Sequence, residues 1–156
     1  MRFLKKLLTW FAGSTKRKPL EYVRSDGAVA RFVFAGRDLY PDGKPKAKVF
    51  KPELNPNLDR FETSVCGLHG VASERVSHLG RTIRAQEGLS AIVAVKLSVS
   101  AVTSAGLACE SAPEPDFEEH GVIVGWNPDP SAKDERLAFQ TDLAASVATT
   151  DVIRLS

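Results

Sequence analysis

The chain has 156 residues, of which 43% are hydrophobic and 26% are charged. This composition is typical of a globular protein and excludes a disordered or fibrous one. The longest apolar run, residues 91–95, is far shorter than the roughly 18 residues of a membrane-spanning helix, so we expect no transmembrane segment. The net charge of +2 hides an asymmetry: residues 1–60 carry 14 Lys or Arg and 6 Asp or Glu, whereas residues 61–156 carry 7 and 13. The basic front part indicates an anionic partner.

The N-terminal residues have the pattern of a short amphipathic helix. Their apolar side chains recur at spacings of three and four and are offset from the basic ones; they are Phe3, Leu4, Leu7, Leu8 and Phe11. We predict a helix over residues 1–13 that docks on the rest of the chain, on a protein partner or, weakly, on an anionic membrane surface. Residues 14–27 read as a basic linker that contains Lys16, Arg17 and Lys18.

Residues 28–156 are predicted to form one domain that begins with short extended segments. Residues 30–35 read as a strand, residues 40–43 as a turn and residues 44–51 as a second extended segment. In a strand, Lys44, Lys46 and Lys48 would share one face, with Lys51 close behind. Such a stripe either follows a phosphate backbone or protects an edge strand from aggregation.

The remainder alternates strands and helices. Strands are predicted over residues 61–66, 91–103 and 121–126, and a helix from Ser73 buries Val76, Leu79 and Ile83. A second helix over residues 132–148 begins at a capping-box-like Ser131 and Asp134. The predicted fold is therefore α+β: a mainly antiparallel sheet with two packed helices, preceded by the N-terminal helix.

The sequence offers little catalytic or metal-binding chemistry. It contains no Walker-type loop, dinucleotide fingerprint, nucleophile elbow or helical zinc-protease motif. Cys66 and His69 have the spacing of half a zinc site that Cys109 and His120 would complete, but a second close pair is missing, and we expect no metal or other cofactor. Two cysteines also favour a reducing, cytoplasmic location. His120 with Lys133 and nearby carboxylates is the basis of an alternative hypothesis, a small hydrolase or nuclease.

One stretch of the chain resembles a group of proteins. Residues 119–126, followed by Lys133 at the start of an alanine-rich helix, resemble small uncharacterised bacterial proteins with a histidine, an apolar strand, Gly-Trp-Pro and a lysine-bearing helix start. Residues 44–52 and 62–65 look like that group's basic segment and next strand. Here Asn127 interrupts the Gly-Trp-Pro signature. The resemblance spans roughly residues 31–147 and implies a single-domain bacterial cytosolic protein without a transferable activity.

The patterns together favour a small non-enzymatic binding or accessory module of a larger assembly. Its basic N-terminal third would contact a nucleic-acid backbone or an acidic protein surface. The residues expected to supply this charge are Lys16, Arg17, Lys18, Lys44, Lys46, Lys48 and Lys51. The two alternatives are the enzyme centred on His120 and a peripheral membrane protein held by residues 2–11.

Overall fold

The structure, a computed structural model, describes residues 21–156. The helix predicted for residues 1–13 and the cations Lys16, Arg17 and Lys18 lie outside this range. The described part of the chain contains seven strands and three α-helices. They are β1 (Ala28–Val33), β2 (Glu53–Asn55), β3 (Arg60–Gly67), α1 (Ser73–Thr82), β4 (Val93–Ser98), α2 (Val99–Ser104), β5 (Ala108–Ser111), β6 (His120–Val124), α3 (Lys133–Ser146) and β7 (Val152–Arg154). Within residues 21–156, no helix has the length and apolar character needed to cross a bilayer.

The strands form one antiparallel sheet in the order β5-β6-β3-β1-β4-β7, with β2 paired to the first half of β3. Alternation along β1 divides its side chains between the two faces: Val29 and Val33 point to one core, and Ala30 and Phe32 to the other. Both faces are thus partly covered, and the predicted α+β class with an antiparallel sheet is confirmed.

The first face packs against α3 and against a short 3₁₀-helix, Ala47–Phe50. Phe50, Ile123 and Leu143 are completely buried there. Trp126, which follows β6, is also buried, and its Nε1 donates to the carbonyl of Ile123 at 2.9 Å. This apolar layer fixes the position of the segment that precedes Phe50.

The second face packs against α1. Leu79 is completely buried against a cluster that includes Phe32 and Cys66. Gly80 lies inside α1 because the helix approaches the sheet closely at that point: a Cβ there would be 2.6 Å from Leu155 Cδ1 and 3.3 Å from Phe32 Cε1. The helix continues through Gly80 to Thr82, although glycine is unfavourable in a helix interior.

Three local predictions were wrong. The strand expected over residues 91–103 ends at Ser98, whose hydroxyl accepts a hydrogen bond from the amide of Ala101 and begins α2. The extended segment expected over residues 44–51 contains the 3₁₀-helix instead. The Ser131 side chain bonds Asp129 rather than capping α3, whose N-cap Ala132 has no side-chain cap.

The sheet contains a fork that a side chain fills. β3 pairs with β2 through Glu62 and with β1 only from Cys66 onward, so the two neighbours share one edge of β3 with a gap between them. Arg31 extends into this gap: its Nε donates to the carbonyl of Val49 at 3.0 Å and its Nη1 to the carbonyl of Ser64 at 2.8 Å. A guanidinium thus replaces backbone pairing at the fork.

Candidate functional site

A basic loop, residues 36–51, connects β1 to β2 and contains most of the predicted binding lysines. It folds back on itself through a bridge between Leu39 and Pro45 and through a tight turn in which the Gly43 amide donates to the Tyr40 carbonyl at 2.9 Å. Gly43 has a φ of 87°, a conformation that glycine adopts without strain. The turn predicted at residues 40–43 is therefore confirmed, and it projects Tyr40 from the domain.

Tyr40 is an exposed aromatic ring beside cations. Its relative exposure is 53%, and Lys46 Nζ lies 5.6 Å from the ring centroid. The Lys46 ammonium also donates to the carbonyl of Arg37 at 2.9 Å, which holds these three residues together. Tyr40 was not among the predicted binding residues, although the turn pattern around it was the available signal.

The lysines of the basic loop do not form one stripe, because the segment is not a strand. Lys44 is exposed, whereas Lys48 pairs with Asp38 at 2.5 Å. Lys51 is exposed at the end of the loop, beside a small cleft that it shares with Arg31. The shared face predicted for Lys44, Lys46 and Lys48 was wrong, but the positive charge stays within one loop.

His120 lies on the opposite side of the sheet from α3. It pairs in register with Cys66, so both side chains point toward the face that α1 covers. His120 Nδ1 is 2.6 Å from the carbonyl of Ala112, and because a carbonyl only accepts, Nδ1 carries the proton. The ring lies 5.1 Å from Phe117 and lines a cleft of about 380 Å³ with Arg31.

The structure does not bring His120 and Lys133 together. Lys133 is exposed at the start of α3, which packs on the other face, and it does not line the His120 cleft. Glu62 accepts from Arg60 Nε at 2.7 Å, and the carboxylate beside His120 is that of Glu114, whose Oε1 lies 3.5 Å from His120 Nδ1. The structure therefore places a carboxylate, but not Lys133, next to His120, and the enzyme hypothesis stays a prediction.

The cysteines are poor nucleophiles and are not arranged as metal ligands. Burial raises the pKa of the Cys66 thiol to about 12 and that of Cys109 to about 11. Cys66 is completely buried, and His69 is exposed with its Nε2 3.5 Å from Arg24. Within residues 21–156, no three His, Cys, Asp or Glu side chains are placed to hold a metal ion.

The acidic segment before β6 is anchored by an ion pair. Arg75 of α1 donates through Nε to Glu119 at 2.7 Å and through Nη2 at 3.2 Å. Burial raises the pKa of the Glu119 carboxyl, but the hydrogen bonds and the charge of Arg75 outweigh it and keep that pKa below its ordinary value. Arg75 thereby ties α1 to the loop that positions His120.

A cavity of about 740 Å³ opens between the first half of α1 and the sheet. The space exists because the side chains that β1 presents there, Ala28 and Ala30, are small. Beneath the second half of α1, by contrast, Phe32 fills the space between helix and sheet. Lys96 of β4 lies in register with Ala30 and lines the same cavity. Lys96 is exposed although it lies on the helix-covered face, because the cavity gives it access to solvent.

Comparison with known proteins gives no family for the chain. No protein-family model matches it, and neither a curated protein nor a solved structure matches it.

Proposed function

We propose that the protein is a non-enzymatic binding module that contacts a nucleic-acid backbone through the basic loop. The observation that carries this proposal is the exposed Tyr40 ring beside Lys46. Proteins that bind single strands combine cations that follow the phosphates with aromatic rings on which bases stack. The basic loop supplies both groups within a few residues of each other.

The charge of the basic loop supports the same proposal. Residues 36–51 contain five Lys or Arg and two Asp. Within the described part of the chain, one of the five, Lys48, has a carboxylate within 4 Å. The remaining cations are Arg37, Lys44, Lys46 and Lys51. They supply charge rather than base readout, so binding should fall steeply with salt and show little sequence preference.

Lys16, Arg17 and Lys18 extend the proposed charge along the sequence, but they lie outside the described residues. Residues 1–20 contain six Lys or Arg and no Asp or Glu. In this proposal they add phosphate contacts without specificity. The membrane-surface alternative depends on residues 2–11, which also lie outside the described range.

The test measures anisotropy of labelled single-stranded and duplex DNA and RNA across a salt series. If about three phosphates are neutralised, the logarithm of the single-strand affinity should fall with a slope of about −2 against log salt. Tyr40→Ala should weaken single-strand binding about tenfold because stacking is lost, and Tyr40→Phe should retain most of it. Lys44→Ala with Lys46→Ala should weaken single-strand and duplex binding alike.

The matched control is Arg84→Ala with Lys133→Ala, which also removes two positive charges from exposed residues but leaves the basic loop intact. If this control weakens binding as much as the loop variant does, net charge rather than the loop is responsible, and the proposal is wrong. Absence of binding at low salt also overturns it. Binding to polyglutamate without binding to nucleic acid would identify an acidic protein surface as the partner instead.

A further inference from the structure

We infer that the cavity between α1 and the sheet binds an amphiphilic anion, with its carboxylate or phosphate head at Lys96 and its apolar body beneath α1. The ligand class follows from two features that meet in one cavity: Lys96, which has no carboxylate within 4 Å among the described residues, and an apolar floor. The residues that line the cavity do not include the proposed nucleic-acid contacts Arg37, Tyr40, Lys44 and Lys46. The site is therefore independent of the nucleic-acid proposal.

The head-group position follows from unbalanced charge. Lys96 lines the cavity and has no carboxylate within 4 Å among the described residues. Arg81 of α1 also lines it and donates to the main-chain oxygen of Ser156. Arg154 lines it too, but it pairs in register with Val93, so its side chain points to the face that α3 covers. Against Lys96 and Arg81, Glu74 is the one acidic side chain among the described lining residues. An anion would supply the missing charge in a partly desolvated site, where it is worth more than in water.

The body of the ligand is defined by the rest of the lining. The polar lining residues His69, Ser73 and Ser77 are accompanied by a larger set of small or aliphatic side chains, which favours a ligand with an alkyl or aryl group. The small or aliphatic side chains are those of Ala28, Ala30, Leu68, Val71, Val76, Ile153 and Leu155. A volume of about 740 Å³ is that of a small-molecule site and leaves room for a chain of eight or more carbons.

The N-terminal segment is a poor occupant of this cavity. The described chain enters near it, since the His69 amide donates to the carbonyl of Tyr22 at 3.1 Å and His69 lines the cavity. Residues 1–20 contain no Asp or Glu, however, so their side chains cannot balance the charge of Lys96 and Arg81. The observations favour a separate anionic ligand.

The test is calorimetric titration of the full chain with octanoate and octyl phosphate below their micelle concentrations. Octanol and octyltrimethylammonium serve as neutral and cationic ligands of matched length, and acetate and inorganic phosphate serve as heads without a body. We expect at least one anionic amphiphile to bind about tenfold or more tightly than octanol, since a charge-assisted hydrogen bond is added to the same apolar burial. Octyltrimethylammonium and the short anions should bind more weakly still.

Variants locate the site. Lys96→Ala should reduce the affinity for the anionic amphiphile about tenfold, and Lys96→Arg should retain it. Lys133→Ala, an exposed lysine on the other side of the sheet, is the matched control and should leave it unchanged. Ala28→Leu should reduce the affinity for octanol and octanoate alike by filling the floor. Thermal unfolding of each variant verifies that it is folded.

Three results would each overturn the inference. Octanol could bind as tightly as both anions, or Lys96→Ala could leave the affinity for the anions unchanged. The third is failure of every amphiphile to bind at millimolar concentration. Nucleic-acid binding is measured separately on the same Lys96→Ala protein. Failure of this inference is therefore distinguishable from failure of the proposed function.

Discussion

Arg136 provides the sharpest test of how the strand-to-helix connection after β6 is held. Its side chain is buried, and the guanidinium carbon lies 4.2 Å from the centroid of Phe61. Nη1 donates to the carbonyls of Asn127 and Asp129 at 2.8 and 2.6 Å, and Nη2 donates to that of Pro130 at 3.2 Å. One guanidinium thus donates to three main-chain carbonyls of the loop between β6 and α3.

Replacing this side chain by methionine should destabilise the protein by about 2 kcal/mol. A hydrogen bond to a charged group contributes about 1.5–3 kcal/mol, so three such bonds set an upper limit well above that value. Two effects make the loss of stability smaller. The carbonyls of Asp129 and Pro130 belong to exposed residues, so water can bond them when the guanidinium is gone. Removing Arg136 also removes the free-energy cost of burying its charge. Methionine retains the apolar contact with Phe61.

The assay is urea unfolding at pH 7 of the native protein, Arg136→Met and Arg136→Lys. Lysine keeps the charge but cannot direct donors at three carbonyls, so it should lose about as much stability as methionine does, about 2 kcal/mol. Arg37→Met, at an exposed arginine, is the control and should change stability by less than about 0.5 kcal/mol. A lysine variant as stable as the native protein would refute the reasoning, because charge alone would then suffice.

Two further predictions concern titration and reactivity. The lowered pKa of Glu119 means that its pairing with Arg75 contributes stability above the ordinary carboxyl pKa of 4.5, and that this contribution is lost as the pH falls through the lower folded-state pKa. Glu119→Gln should therefore be less stable than the native protein at pH 7, with the difference in urea midpoint shrinking toward pH 3; a constant difference would contradict the pairing. Cys66 and Cys109 should resist iodoacetamide at pH 8 in the native protein, since a pKa of about 11 leaves about a hundredfold less thiolate than the ordinary value of 9.0 does. Rapid alkylation without unfolding, followed by mass spectrometry, would show that burial does not suppress the thiols.

The fold class could be predicted because the alternation in β4 and the apolar run of β6 indicate strands and the helical spacing in α1 and α3 is clear. Alternation did not predict where β4 ends. Val95, Leu97 and Val99 continue one period, and only the capping hydroxyl of Ser98 distinguishes the strand from α2. A serine is too common a residue to decide such a boundary from sequence.

The candidate sites were harder to predict because they depend on tertiary placement. The basic loop was recognised as positively charged, but its shape is set by the burial of Val49 and Phe50 against α3, which imposes a 3₁₀-helix where alternating lysines suggested a strand. Lys96 alternates in sequence with Val95 and Leu97, and this pattern alone places it on a polar face exposed to solvent. That α1 covers this face, and that Ala28 and Ala30 leave a cavity beside Lys96, follows only from the packing of α1 on the sheet.

The fork at Arg31 affects how the sheet opens locally. Between Glu62 and Cys66, β3 has no backbone pairing with either β2 or β1 along this edge. The Arg31 side chain makes the connection from β1 to this part of β3. Cooperative opening units in proteins tend to follow such interruptions in pairing. The hairpin should therefore separate from β1 at a lower free energy than β1 separates from β4, which it pairs over six consecutive residues. Arg31 is always charged and keeps its donors at every physiological pH. The hydrogen bond that connects the hairpin to β1 at the fork should therefore not depend on pH.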